Sequence, residues 1–507
     1  MNNNGNLFQI ISDNIQDNNK IFLQEIDGKK FTYSDVQKLS AKYANTFKAM
    51  GIRKGDRVAV QTVKLVDCIW IYLSLMRIGA IYLPLNTAYI VEEVKYFLGD
   101  ANPKLFISGD SFSENLSKIL NHSSILHETI NSNGNGSLQK KLKGFEENFD
   151  NEIVKKNDIA CILYTSGTTG KSKGAMITHE NLSSNAFTLV ESWEFTNKDI
   201  LLHALPIYHV HGLFVAINTI LLANASILFL KKFDADLVIS ELSNVTSMMG
   251  VPTYYNRLVL NNKFNSNVSR HIRVFISGSA PLSVDVFKKF KKITGHSILE
   301  RYGMTETGMI SSNPYAGERK PGTVGFPLKN IDVRITNPNS GKILKNTEIG
   351  VIEVKGPNVF KGYWKMPEKT NIDFRSDGYF ITGDLGFIDG AGYMSISGRD
   401  KDLIISGGLN VYPAEIENAI DTIDEVDESA VIGLPHNDFG EAVTAIIVLN
   451  HKENFEEKKI IDKLDKVLAK YKVPKKVIVV DLLPRNSMGK IQKKNLREQY
   501  VDLYKSH

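Results

Sequence analysis

Tyr164-Thr-Ser-Gly-Thr-Thr-Gly-Lys-Ser-Lys-Gly174 is the stretch on which the reading of this chain turns. Its glycines let the backbone approach an anion closely, its hydroxyls offer donors, and Lys171 and Lys173 supply charge. That combination suits a polyphosphate. It is not a Walker A loop, because the glycine required five residues before Gly170 falls at position 165, where Thr165 stands. The residues that follow, Ala175–Thr178 (AMIT), read as a strand and not as the helix a Walker loop feeds. A purely structural turn seldom gathers so many hydroxyls with two lysines.

Upstream of the loop, helix and strand signals alternate. Val36, Leu39, Tyr43 and Phe47 share one helical face over Tyr33–Met50, with Ser34 as the expected cap. Arg57–Thr62 and Ala80–Leu83 read as buried strands around a helix at Val66–Met76, and Val91–Leu98 followed by Leu105–Ser108 repeats the pattern. Successive β-α-β units predict largely parallel sheets covered by helices. Between His127 and Asn157, where NSNGNGS precedes charged residues, a surface excursion or partly ordered loop is expected. Short strands rich in Gly and Asp mark residues 322–396 as a β-rich subdomain. Ser397–Gly408 reads as a boundary before a compact α+β piece of about 100 residues.

The 507 residues imply three or four domain-sized units at about 150 residues each. With 42% apolar and 23% charged residues, the composition excludes collagen-like, coiled-coil and wholly disordered chains. Two cysteines, Cys68 and Cys161, build neither a disulfide framework nor a four-ligand zinc site, and fit a reducing cytoplasm. Met1–Gly5 lacks the features of a secretory signal. Gly212–Leu230 holds no charge, yet Asn218, Asn224 and Ser226 interrupt it, so a buried helix followed by a buried strand is expected and no membrane span. The net charge is +5, but His451–His507 alone carries 15 Lys/Arg against 8 Asp/Glu. A basic terminal piece without interleaved aromatics points to a phosphorylated small molecule ahead of nucleic acid.

The loop and the His179-Glu180-Asn181-Leu182 that follows it resemble the phosphate loop of the acyl-CoA synthetase, adenylation-domain and luciferase superfamily. Further motifs stand in the family's order: Arg301-Tyr302-Gly303-Met304-Thr305-Glu306-Thr307, Tyr379–Gly386 (YFITGDLG), Gly398-Arg399-Asp400-Lys401-Asp402 and Pro484–Lys490 (PRNSMGK). The resemblance implies a large N-terminal domain (1–399) of layered, mostly parallel sheets with helices. It also implies a small mobile C-terminal domain (400–507) pivoting near 400–401. The activity it implies joins a carboxylic acid to coenzyme A through an acyl-adenylate, using ATP and Mg2+.

Carried over residue by residue, the nucleotide set is Thr165, Ser166, Gly167, Thr168, Thr169, Gly170, Lys171 and Lys173, with Ser279, Ala280, Glu300, Arg301, Tyr302, Gly303 and Thr305. Asp384 and Arg399 would meet the ribose, Glu306 would ligate magnesium, and Lys490 with Thr165 and Glu306 would be catalytic. Lys401, Gly407 and Gly408 would serve the rotation and the CoA half-reaction. HALPIYHVHGLFVA, GVPTYYNRL, FISGSAPL and KGPNVFKGYWKMPEKT narrow the likeness to malonate–CoA ligases, as does Ser172 where the wider superfamily has Pro. An arginine inside an apolar stretch, Arg257, reads as a buried guanidinium for a second substrate carboxylate, with His209, Ser277 and Met304 beside it. His209-Val-His211 alone is weak evidence for a metal. A ligase for methylmalonate or another short acid, a carrier-loading adenylation domain and a non-catalytic nucleotide sensor remain alternatives. The resemblance also implies a lysine acetyltransferase and deacetylase acting on Lys490, and a monomer or homodimer.

Overall fold

The computed structural model describes residues 4–109, 120, 123–165, 172–338, 340–407, 409–450, 455–486 and 489–504. Two large sheets form the N-terminal domain. In the first, the strands Leu126–Thr129, Leu105–Ser108, Arg57–Gln61, Ile81–Pro84 and Ile159–Thr165 run parallel, and Lys173–Thr178 closes one edge antiparallel. In the second, Leu299–Met304, Val274–Ser277, Ser247–Gly250, Ile200–His203, Ser226–Phe229 and Ile21–Glu25 are parallel neighbours in that order. The expected β-α-β texture is therefore present, since parallel neighbours need helical crossovers. One continuous apolar core, from Val58 and Ile69 to Ile217 and Ile276, joins the two sheets through the helices between them.

Helix Tyr33–Ala49 buries Val36, Tyr43 and Phe47 as expected, but its cap is Thr32 and not Ser34. Thr32 Oγ1 accepts from Asp35 N at 3.1 Å while the Asp35 carboxylate takes Thr32 N at 2.7 Å. This reciprocal box outcompetes a lone serine because it satisfies two orphan donors. The uncharged run 212–230 forms a wide-turned π-helix, His211–Asn218, a helical turn Thr219–Leu222 and the strand Ser226–Phe229, almost all of it buried. Among the described residues no helix is long and apolar enough to cross a membrane.

Strands Asp332–Thr336, Gly350–Lys355, Phe380–Ile388 and Met394–Arg399 make a four-stranded antiparallel sheet, the β-rich subdomain. The small C-terminal domain is built on the hairpin Val426–His436 and Gly440–Leu449, with Lys476–Val479 alongside. It has its own core, including Ile404, Ile416, Val431, Val443 and Ile460.

The segment expected as a loose excursion is better anchored than its composition suggests. It contains the strand Leu126–Thr129 and a short helix, Ser137–Lys141. Buried Arg77 then pins its end, donating to Asn151 Oδ1 at 2.7 Å and Phe149 O at 2.6 Å, and also to Gln37 O and Ser40 Oγ. Arg77→Met leaves these acceptors unpaired and should cost on the order of 3 kcal/mol. A lowered urea midpoint for the N-terminal domain, with cleavage appearing first between 131 and 151 in limited proteolysis, is the expected result.

Candidate active site

Three sets of polar side chains converge where the two sheets, the β-rich subdomain and the small domain meet. The first lies at the mouth of the hairpin formed by Ile159–Thr165 and Lys173–Thr178, whose last pair is Thr165 with Lys173. Ser166, Gly167, Thr168, Thr169, Gly170 and Lys171 lie outside the described residues. Glu306, 5% exposed, stands opposite on the turn after strand Leu299–Met304. Its Oε1 accepts from Tyr363 Oη at 3.1 Å and from Thr165 Oγ1 at 3.4 Å. Burial pushes the Glu306 carboxyl up, against the hydrogen bond from Tyr363 and the charge of Lys173. Lys173 Nζ rests 4.2 Å from the Tyr363 ring centroid and 4.0 Å from Asp373. Burial and Lys369 lower its pKa, with Asp373 and Glu306 opposing. Gly303 is required at this turn, since a Cβ there would stand 2.1 Å from Gly308 O.

The second set is centred on Asp384, which is buried in strand Phe380–Ile388. Its cross-strand partner is Arg399, whose Nε reaches Asp384 Oδ1 at 2.6 Å. Tyr302 Oη donates to Asp384 Oδ2 at 2.5 Å. The carboxylate raises the Arg399 pKa, and burial with the same carboxylate pushes the Tyr302 phenol well up. Lys490 comes to this pair from the small domain. Asn486 Oδ1 accepts from Lys490 N at 2.9 Å, and a Cβ on neighbouring Gly489 (φ +75°) would lie 3.6 Å from Thr253. Lys490 is an exposed residue by area, yet its ammonium sits among protein groups. Desolvation there, then the charges of Arg399 and Lys401, lower its pKa to about 8 against Asp384 and Asp402. Lys401 occupies the 3-10 turn Asp400–Asp402 directly after Arg399. Gly407 is exposed at φ +58°, its N–H donating to Phe439 O at 2.8 Å, and Gly408 lies outside the described residues.

The third set lines the ends of strands Val274–Ser277 and Leu299–Met304. His209 borders a small cleft with Asn86, Tyr89, Tyr164, Tyr208 and Thr305. Burial holds His209 near pKa 4, so its imidazole is neutral. Ser279, at φ +76°, pairs its Oγ with His211 Nδ1 at 3.3 Å, and Ala280 is half-buried beside it. A backbone strained in this way is held by its surroundings and concentrates at functional sites. Ser277 is fully buried, and Met304 and Thr305 are half-buried. Glu300 Oε1 takes Leu282 N at 3.0 Å, and burial pushes its carboxyl to about 8. The buried side chains of Ser277, Arg301, His209 and His211 each keep a polar atom without a hydrogen bond among the described residues.

The burial expected for Arg257 is not found. Helix Pro252–Val259 turns Tyr255 and Leu258 inward, so its period carries Arg257 to the exposed face. No protein carboxylate pairs with it among the described residues, and its charge reaches Tyr254. Tyr363 and Asp373 were missed as site residues. Tyr363 lies inside KGYWKMPEKT, but its contacts with Glu306 and Lys173 are made across the fold and leave no local pattern.

The sequence pattern of the AMP-binding enzymes matches residues 14–364, and that of the AMP-binding enzyme C-terminal domain matches 415–490. The chain belongs to the AMP-binding enzyme family. Within that family it is 34% identical to malonate–CoA ligase of Arabidopsis thaliana, over 93% of this chain and 85% of that one. ATP-bound MatB of Rhodopseudomonas palustris superposes with a TM-score of 0.97 at 50% identity, over 99% of this chain and 100% of that one. The apo form of the same protein, at the same identity and coverage, superposes with 0.86. The chain as a whole thus superposes more closely on the nucleotide-bound form of that relative than on its apo form.

An amine with a pKa near 8 is an unprotonated nucleophile at a pH where ordinary lysines are not. Competitive labelling with limiting acetic anhydride, read by mass spectrometry, should give Lys490 a reactivity midpoint near pH 8. A lysine with the ordinary pKa of about 10.4 would still be rising at pH 10.

Proposed function

We propose that this chain is an ATP-dependent malonate–CoA ligase, forming malonyl-CoA, AMP and pyrophosphate through malonyl-adenylate. The observation that carries the reading is the meeting of Lys490 with the Asp384–Arg399 pair in one cleft with Glu306, Thr165 and Lys173. The likeness to relatives named as malonate–CoA ligases and to MatB supports the choice of acid.

In the first half-reaction a malonate oxygen attacks the α-phosphorus of ATP, a P–O bond forms, and the bond to the β-phosphate oxygen breaks. Anion meets polyanion, so the step needs fixed cations and donors where charge grows. Thr165–Lys173 would hold the β- and γ-phosphates, and Tyr302 would lie along adenine with Ser279, Ala280 and Gly303 at its edge. Asp384 keeps lone pairs beyond those used by Arg399 and Tyr302, and so has room for ribose hydroxyls. Lys490, charged below pH 8, would stabilise the α-phosphate as it is attacked. One buried carboxylate with a neighbouring hydroxyl suits Mg2+, which takes few protein ligands and relies on phosphate and water oxygens. When bound, Mg2+ neutralises charge on the phosphates; Glu306 and Thr165 would hold it.

The thiol of CoA then attacks the acyl carbon and AMP leaves. For that step Lys490 must withdraw, and we place the pivot at Asp400–Lys401, supported by the strand-to-turn junction there. Gly407 and Gly408 would then face the incoming thiol. Arg257, exposed and without a carboxylate partner among the described residues, would draw the dianion to the pocket, with His209, Ser277 and Met304 lining it. A lowered pKa makes the Lys490 amine nucleophilic, and acetylation of it, once withdrawn from these groups, would remove the charge. The free, buried Cys68 and Cys161 support residence in the reducing cytoplasm.

Pyrophosphate release with malonate, methylmalonate, succinate, acetate and octanoate tests the reading: malonate should lead, and a lead by octanoate or acetate overturns it. Lys490→Ala should slow adenylation by roughly 3–5 kcal/mol while leaving thioester formation from supplied malonyl-adenylate largely intact. Arg257→Ala should raise KM for malonate about tenfold more than for acetate, more so at low salt, as loss of a steering charge does.

A further inference from the structure

Lys64 carries a buried ammonium that the reaction above does not use. It follows strand Arg57–Gln61 of the first large sheet and reaches across to the second. There its Nζ meets His203 Nδ1 at 2.8 Å, His203 O at 2.9 Å and Leu230 O at 2.7 Å, with the Phe229 ring centroid 4.3 Å away. Among the described residues no carboxylate pairs with it. Apolar side chains often replace buried charges at no loss of stability, so packing alone does not account for a lysine here.

The other side of His203 gives the reason. Its ring is buried, and Nε2 stands 2.8 Å from Gly212 O. A carbonyl can only accept, so the proton is on Nε2 and Nδ1 keeps its lone pair. All three partners of Lys64 are then acceptors, which the three protons of an ammonium satisfy and the two of a neutral amine do not. Burial and the Lys64 charge hold His203 near pKa 3, so the imidazole stays neutral and the line of donors runs one way, from Lys64 to Gly212. Gly212 belongs to the first turn of the π-helix His211–Asn218, and a Cβ on it would stand 2.0 Å from Pro206 O. In the same turn Leu213 N donates to His209 O at 2.9 Å, and His211 Nδ1 meets Ser279 Oγ. Wide turns of this kind are rare and gather at functional sites, where something outside the helix must hold them.

We propose that Lys64, acting through His203, is a positioning residue that holds this turn, and with it His209 and His211, at the acid end of the cleft. The inference rests on the ligase reading above and adds a part to it. The ammonium fixes the tautomer of His203, as a hydrogen bond to one ring nitrogen decides what the other can do. The fixed tautomer then grips the Gly212 carbonyl.

The test compares wild type with Lys64→Met, His203→Gln and the double variant. Pyrophosphate release gives KM for malonate and for ATP, and long-range 1H–15N spectra of histidine-labelled protein give the tautomers, with His203 identified by its loss in His203→Gln. Wild type should show His203 protonated at Nε2 alone, and Lys64→Met should lose that single state. Lys64→Met should raise KM for malonate about tenfold and KM for ATP less than about twofold. The double variant should recover part of the loss, because a glutamine amide donates to Gly212 O without needing Lys64. A general loss of stability would move both KM values and allow no such recovery. If Lys64→Met does not fold, His203→Leu cuts the same line from its other end and should raise KM for malonate alone. A wild-type His203 protonated at Nδ1, equal rises in the two KM values, an unchanged KM for the acid, or no recovery in the double variant overturns the inference. Should wild type prefer an acid other than malonate, the function reading falls, and Lys64 is judged on KM for that acid and on the His203 spectrum.

Discussion

The pair between Asp384 and Arg399 organises the rest of the site. The two residues face each other across neighbouring strands of the β-rich subdomain, and Tyr302 ties the same carboxylate to the second large sheet. Asp384 is buried, so the pair is screened little by water and holds its geometry better than a surface bridge would. Arg399 is also the last residue of its strand before the 3-10 turn Asp400–Asp402. One ion pair therefore ties together the β-rich subdomain, the second large sheet and the start of that turn.

Charge is distributed unevenly around that anchor. Around Glu306, Lys173 is shared between a tyrosine face and Asp373, while the buried carboxylate itself is held by two hydroxyls and the field of Lys173. Around Ser277 and Arg301, positive and neutral donors stand without protein acceptors among the described residues. An enzyme that joins two anions needs this imbalance, because cations already satisfied by protein carboxylates would have to be released before they could act. The lowered Lys490 pKa has the same origin: an ammonium gathered among Arg399, Lys401 and little water awaits negative charge.

Much of this was legible in the sequence because it is local. Period-2 and period-3.6 patterns gave the strands and helices to within a few residues, and the ordered motifs gave a large N-terminal and a small C-terminal domain. Failures arose where two local signals compete or where distant residues decide. Ser34 lost the cap to Thr32 because Asp35 completes a reciprocal box. Arg257 was read as buried from its apolar neighbours, although Tyr255 and Leu258 alone define the inward face of its helix. The bare guanidinium of Arg301 depends on the direction taken by Glu300 and on the missing side chain of Gly278, neither of which one strand's pattern encodes.

Helix Pro252–Val259 touches the loop of Lys490 near its start, through Thr253 and Gly489, and carries Arg257 near its end. One short helix thus joins the places where, on the function proposed above, the acid would arrive and the small domain would rest. A ligand that favoured one position of that helix would favour one position of the domain, and the domain would return the preference in equal measure. On that reading, a pocket rebuilt for a bulkier acid would alter the timing of the catalytic cycle along with the choice of substrate.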